Sequence, residues 1–249
     1  IYEPLDGENG IDARKAATTT DRNGFNDPEL TISTRWLYTW TSPATEAEAS
    51  YNRINSNNAV PPGFGFTMKG VHQGTQPAGD RNGPPSNHTQ LYEFRGRPNS
   101  GTFSIPVEGP DGDNQRMVLA GNPYPSILDL NRVFYDSQNE NLISFYYYDE
   151  DRSVMSHYYS DKPYGFATWV PAAGYDPDGT GNLGVYTAAP FHIWNAAGGS
   201  NHQGHSNNNN KTATRFAPIG QGILFAGNNP DPQHVYIRNS HRRFIKTNA

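Results

Sequence analysis

The densest set of oxygen ligands in this chain is the stretch Asp176-Pro177-Asp178-Gly179-Thr180-Gly181-Asn182. Asp176, Asp178, Thr180 and Asn182 place a side-chain oxygen at every second position. Ca²⁺ takes roughly six to eight oxygen ligands, and a D-x-D-G-x-G-N loop can wrap one ion. The expectation is a Ca²⁺ site at these four residues, the one cofactor the sequence suggests. The full EF-hand pattern fails, because its last position calls for a bidentate Glu and Thr187 stands there. An ordinary Asp/Gly turn accounts for the same residues. Asp111-Gly112-Asp113-Asn114 and Asp6-Gly7-Glu8-Asn9 are shorter versions of the theme. His192, His202 and His205 carry nitrogen ligands for a transition metal. However, His202-x-x-His205 lies in a polar stretch with no carboxylate or Cys beside it.

Catalytic constellations are sparse. Asp149, Glu150 and Asp151 cluster after an aromatic run, and glycoside hydrolysis uses two carboxyls facing each other across a substrate, roughly 5–10 Å apart. Adjacent residues at the end of a strand do not supply that, and a solvated strand end is the plainer reading. Ser126 lacks the Gly-x-Ser-x-Gly setting of a nucleophile elbow. LAGNPYPS (119–126) lacks the second glycine and the lysine of a phosphate loop. Aromatic side chains offer a different chemistry, the stacking of sugars. Trp36, Trp40, Trp169, Trp194 and the Tyr146–Tyr148 run are the candidates, although in an all-β chain most such rings pack in the core or across strands.

The elements that must position these residues follow from composition. The chain has 249 residues, with 25 Gly, 20 Pro, 15 Tyr, 12 Phe and no Cys. Aromatics and turn formers together indicate many short strands joined by polar loops. Strand patterns recur at 35–40, 63–69, 91–95, 102–107, 116–120, 142–148, 154–159, 166–170, 191–194, 222–226 and 234–238, several with period two. The predicted fold is all-β, two packed antiparallel sheets, with one short helix at 126–134. That helix is predicted from Ser126 as N-cap with Asp129 three residues on, followed by Ile127, Leu130, Val133 and Phe134 at helical spacing. Tyr124, held between Pro123 and Pro125, is expected to pack as a plug. GGSNHQGHSNNNN (198–210) is too polar to order itself without help.

One internal echo stands out. PPGFGFTMKG (61–70) and PIGQGILFAG (218–227) both fit Pro-x-Gly-x-Gly followed by alternating apolar residues. Each predicts a strand entered through a Pro-Gly corner in which glycine supplies positive φ. The echo divides the chain into a 1–29 N-terminal extension or linker and a 30–249 module with related halves at about 30–110 and 115–249.

Several partner classes are excluded. Only 17% of residues are charged and the net charge is −5, with no basic stripe, so no nucleic-acid partner is expected. No apolar run reaches the roughly 18 residues of a membrane span. The basic end, RNSHRRFIK, reads as a solvated terminus. The chain begins at Ile1 with no signal peptide, as a processed or excised piece would.

The order WLYTW, PPGFGFTMKG, YEFRGRPNSG, LAGNPYPSILDLN, ISFYYYDE and APIGQGILF resembles a module of large surface proteins of Bacteroidota-type bacteria. There the module precedes the C-terminal sorting domain of type IX secretion substrates. The resemblance covers about residues 30–245, and it does not extend to the first 29 residues or to the His/Asn loop after Trp194. It implies export across the outer membrane, an extracellular or outer-surface location, no transferable catalytic residues, and an adhesive or structural role beside neighbouring domains or subunits of a surface assembly. The alternative is a carbohydrate-binding accessory module of a polysaccharide-degrading enzyme, with glycans as partners.

Overall fold

The computed structural model describes residues 11–12, 31–32, 37–40, 51–54, 59–68, 97–110, 112, 115–151, 153–154, 160–176, 184–194, 199–205 and 215–244. Short strands dominate, as the aromatic and turn-rich composition requires. In chain order they are β1 (Ile11–Asp12), β2 (Thr31–Ile32), β3 (Tyr38–Trp40), β4 (Tyr51–Arg53), β5 (Phe103–Val107), β6 (Met117–Gly121) and β7 (Ile127–Asp129). A five-residue helix, α1 (Leu130–Phe134), follows. Then come β8 (Leu142–Glu150), β9 (Tyr164–Val170), β10 (Val185–Thr187), β11 (Pro190–Trp194), β12 (Ser200–His205), β13 (Phe216–Ala217), β14 (Gly222–Gly227), β15 (Gln233–Ile237) and β16 (Arg242–Arg243).

The largest sheet has seven strands in the order β12-β11-β9-β8-β14-β6, with β10 also paired to β9. A second layer is formed by the β5–β15 ladder and by β7, which lies between β13 and β16. All of these ladders are antiparallel. The fold is all-β with packed sheets. One core fills the space between the layers. The large sheet contributes Val118, Phe145, Trp169, Ile223 and Phe225, while the facing layer contributes Ile105, Val107, Leu128, Val235 and Ile237. Each such side chain, fully removed from water, contributes roughly 1.5–3 kcal/mol.

Period-two alternation sorts β8. Phe145 and Tyr147 join the core, so Tyr146, Tyr148 and Glu150 lie on the outer face. The register carries this to β9, where Tyr148 pairs with Phe166 and Glu150 with Tyr164.

Three expectations change. Ser126 is not an N-cap, because Ile127–Asp129 is a strand and the cap is Asp129, whose carboxylate accepts from Asn131 N. Pairing with β13 and β16 on both sides outweighs the local helical spacing here. The described part of the 63–69 stretch, 63–68, makes isolated bridges rather than a continuous strand, Phe64 with Ala120 and Thr67 with Tyr38. The polar 198–210 segment, expected to order only with help, receives it over Ser200–His205 from β11, which supplies the backbone partners its side chains cannot. The basic end is a clasp instead of a solvated tail. Arg238 and His241 both reach Asp136, Arg242 donates to Ser126 Oγ at 2.8 Å, and Arg242–Arg243 is β16. The 91–95 stretch lies outside the described residues, as do 155–159 of the predicted 154–159 strand.

Candidate functional site

Three signature motifs meet at one cleft of about 470 Å³. Its wall holds Pro61–Phe66, Gly121–Pro125 and Ile219–Gly222, together with Arg97–Asn99. The echoed corners build two of its sides in the same way. Phe64 N donates to Pro61 O at 3.1 Å, and Gln221 N donates to Pro218 O at 3.2 Å. In each turn the third residue has positive φ, +96° at Gly63 and +76° at Gly220. That is the arrangement of a turn with glycine at its third position. The two copies flank β6 from opposite edges, through Gly65 N to Leu119 O at 2.9 Å and through the Gly222–Gly121 pair.

The motif between them is locked. Asn122 Oδ1 accepts from Tyr124 N at 3.0 Å, while its amide nitrogen donates toward Ser126 O at 2.7 Å. Tyr124 is only 2% exposed. Its hydroxyl lies 2.7 Å from Gly101 O and 3.0 Å from Ile237 O. Burial pushes this phenol up to about 12, with Arg242 and Arg238 pulling weakly the other way. Tyr124 is therefore neutral and anchored at ordinary pH, a plug as its two prolines suggested.

Beside it, Arg215 is 2% exposed and Asp129 0%. The pair is bidentate, Nε to Oδ1 at 2.7 Å and Nη2 to Oδ2 at 2.8 Å. Arg215 also holds Asp176, through Oδ2 at 2.9 Å and through the backbone oxygen. The proposed Ca²⁺ set is thus partly placed. Asp176 faces an arginine, so a cation on those oxygens competes with the guanidinium, and Asp178, Thr180 and Asn182 lie outside the described residues. Asp113, Asn114 and the 6–9 stretch lie outside them too.

The carboxylate cluster comes apart in the sheet. Asp149 is buried rather than solvated and faces inward, whereas Glu150 faces outward and pairs with Lys162 at 2.8 Å. Alternation along one strand keeps these two carboxyls from facing each other across a substrate.

The outer face of the large sheet carries the other concentration of chemistry. Tyr148 (β8), Tyr164 (β9) and Trp194 (β11) form a row with ring centres 5.7 and 6.2 Å apart and planes inclined by 34° and 36°. The row continues from Trp194 to His192 at 6.0 Å, His202 at 5.3 Å and His205 at 5.1 Å. Phe166 backs it edge-on to Tyr148. Tyr148 is 50% exposed and Trp194 38%. The imidazoles thus meet edge to face across β11–β12. Among the described residues no group of three His, Cys, Asp or Glu side chains is placed to hold a metal ion.

Of the aromatic residues singled out in the sequence, only Tyr148 and Trp194 join this row. Trp169 is core, and burial pushes the Tyr147 phenol far up. Trp40 packs on Tyr51 at 6.3 Å, and Trp36 lies outside the described residues. Tyr164, the ring that joins the two, escaped the sequence reading because the predicted strand began two residues after it. The Tyr-x-Phe alternation of Tyr164 and Phe166 was the available signal. No family model, curated protein or solved structure matches this chain. Among the described residues no helix is long and apolar enough to cross a membrane.

Proposed function

We propose that this chain is a non-catalytic, exported cell-surface module with an adhesive or structural role in a larger secreted protein or assembly. The observation that carries the reading is the half-open row of rings on the outer sheet face. Large rings left open on a sheet face are a feature of contact surfaces. Two further features support it. The ionic groups around α1 are engaged with one another, Arg215 with Asp129 and Asp176, and Arg238 and His241 with Asp136. The motif order from WLYTW to APIGQGILF also resembles that of type IX secretion surface modules. On this reading its partners are neighbouring domains or subunits.

Protease shaving of intact cells tests the location, with immunodetection of the native protein. Loss of signal from whole cells, with a cytoplasmic marker preserved, is the expected result. A protease-resistant pool that co-fractionates with cytoplasm overturns the proposal. Adhesion is then read by coating particles with the purified chain and counting their retention on host-like surfaces, where Tyr148→Ala with Trp194→Ala is expected to cut retention at least fivefold.

A further inference from the structure

We infer that the outer-face ring row is a binding site for a neutral oligosaccharide, an inference that rests on the surface-module reading and names its ligand class. The argument begins with the composition of the row. Tyr148, Tyr164, Trp194, His192, His202 and His205 are all aromatic, and each carries an O–H or ring nitrogen that can hydrogen-bond at its edge. Among the described residues no aliphatic side chain interrupts this chain of ring contacts. A ligand that fits must combine apolar C–H patches with closely spaced hydroxyls, and sugars do so. The slightly positive C–H face of a pyranose packs on the negative face of a ring, while its hydroxyls reach the phenol, indole and imidazole edges.

Register explains why the row exists. Glu150 pairs with Tyr164, His192 pairs with Tyr164, and His202 pairs with His192, so one face of four adjacent strands holds every member. Those strands cover three interstrand steps, about 14 Å in all, which suits a short oligosaccharide better than a single sugar.

Charge selects among polar ligands. The ionic side chains at the Tyr148 end, Glu150 and Lys162, neutralise each other at 2.8 Å, and Glu150 Oε2 accepts from the Tyr148 hydroxyl at 3.1 Å. Among the described residues neither Arg nor a second Lys stands in the row, and the chain is net negative. A nucleic acid or a sulfated glycan needs cationic partners for its charge. A neutral glycan needs none.

The test is isothermal titration and pull-down of the whole chain with defined probes: cellohexaose, xylohexaose, chitohexaose and the matching insoluble polysaccharides, with heparin as the anionic control. Saturable binding to at least one neutral glycan at pH 7.5 is expected. Trp194→Ala and Tyr148→Ala are expected to weaken it tenfold or more, and Ile219→Ser in the cleft to leave it unchanged. Trp194→Leu and Tyr148→Leu keep apolar bulk and remove the ring, so they guard against loss of fold. Retained affinity in folded leucine variants overturns the site, as does a preference for heparin or a blank result with every neutral glycan. A blank result with self-association or particle retention intact removes the oligosaccharide and leaves the surface-module reading standing. Glycan binding by a chain found in the cytoplasm does the reverse.

Discussion

The knot around Tyr124 and Arg215 and the ring row across β8–β12 use similar residues in opposite ways. In the knot, a tyrosine hydroxyl and a guanidinium are buried, and each is met by fixed acceptors. In the row, rings share one sheet face, and Tyr148 and Trp194 stand open to solvent. The difference shows that a distinctive sequence motif and an open aromatic surface need not coincide. GNPYPS stands out in the sequence because its geometry is demanding, with a proline-locked turn, an Asn side chain bridging four backbone positions and a buried tyrosine. The row has no motif, because its members come from four strands.

That contrast predicts that knot substitutions damage stability and row substitutions damage binding. The largest effect is expected for Arg215→Ala, which leaves the Asp129 carboxylate buried without its bidentate partner. A loss of about 3–5 kcal/mol follows from the cost of an uncompensated buried charge, measured as a fall in urea midpoint at constant m-value. A change under 1 kcal/mol would show that the remaining arginines near Asp129, Arg132 at 3.6 Å and Arg243 at 3.5 Å, take over.

Tyr124→Phe comes next. It keeps the ring against Phe103 and beneath Arg242 but leaves the Gly101 and Ile237 carbonyls without the hydroxyl. The expected cost is about 1–3 kcal/mol with glycan binding intact. Loss of binding without loss of stability would move the site from the row to the cleft.

A smaller, pH-dependent effect is expected at His241. Arg238 N donates to its Nδ1 at 3.1 Å, and Nε2 lies 3.0 Å from Asp136, so the neutral ring fits. Burial pushes this imidazole down, and Asp136 only partly restores it. The folded pKa is therefore below the unfolded one. Stability from this group is complete above about pH 6.5 and is lost as pH falls through the lower folded value, at no more than about 1.4 kcal/mol per pH unit. Burial raises the Asp136 carboxyl, but the Gln138 N–H and Arg238 outweigh that and hold it low. Its contribution disappears at still more acid pH. Denaturation midpoints at pH 7.5 and 5.5 should differ in wild type and converge in His241→Gln.

The smallest stability effect belongs to the row. Tyr148→Ala should change unfolding free energy by about 0.5 kcal/mol or less, as for most surface positions, while reducing glycan retention tenfold. A large stability loss there would make the rings structural cross-strand pairs and collapse the contrast between the two regions.

Much of this was legible in the chain. Short apolar and aromatic runs placed β5, β6, β8, β11, β14 and β15 to within a residue or two at most of their ends. Pro-x-Gly-x-Gly announced two matching corners, and flanking prolines marked Tyr124 as a plug. Those features depend on a few neighbouring residues, on side-chain alternation and on the φ values that proline and glycine permit. Ser126 as a cap and the solvated basic end were misjudged, because their partners come from distant sequence, β13 and β16 beside β7 and Asp136 beside Arg238 and His241. No local pattern could have brought Tyr148, Tyr164, Trp194 and His202 onto one face, or set Asp176 against Arg215. By itself the sequence determined the all-β class, the corners and the locked tyrosine. The tertiary structure alone decided which rings face outward together and which charges pair inside, because interstrand register and burial are properties of contacts between segments far apart in the chain.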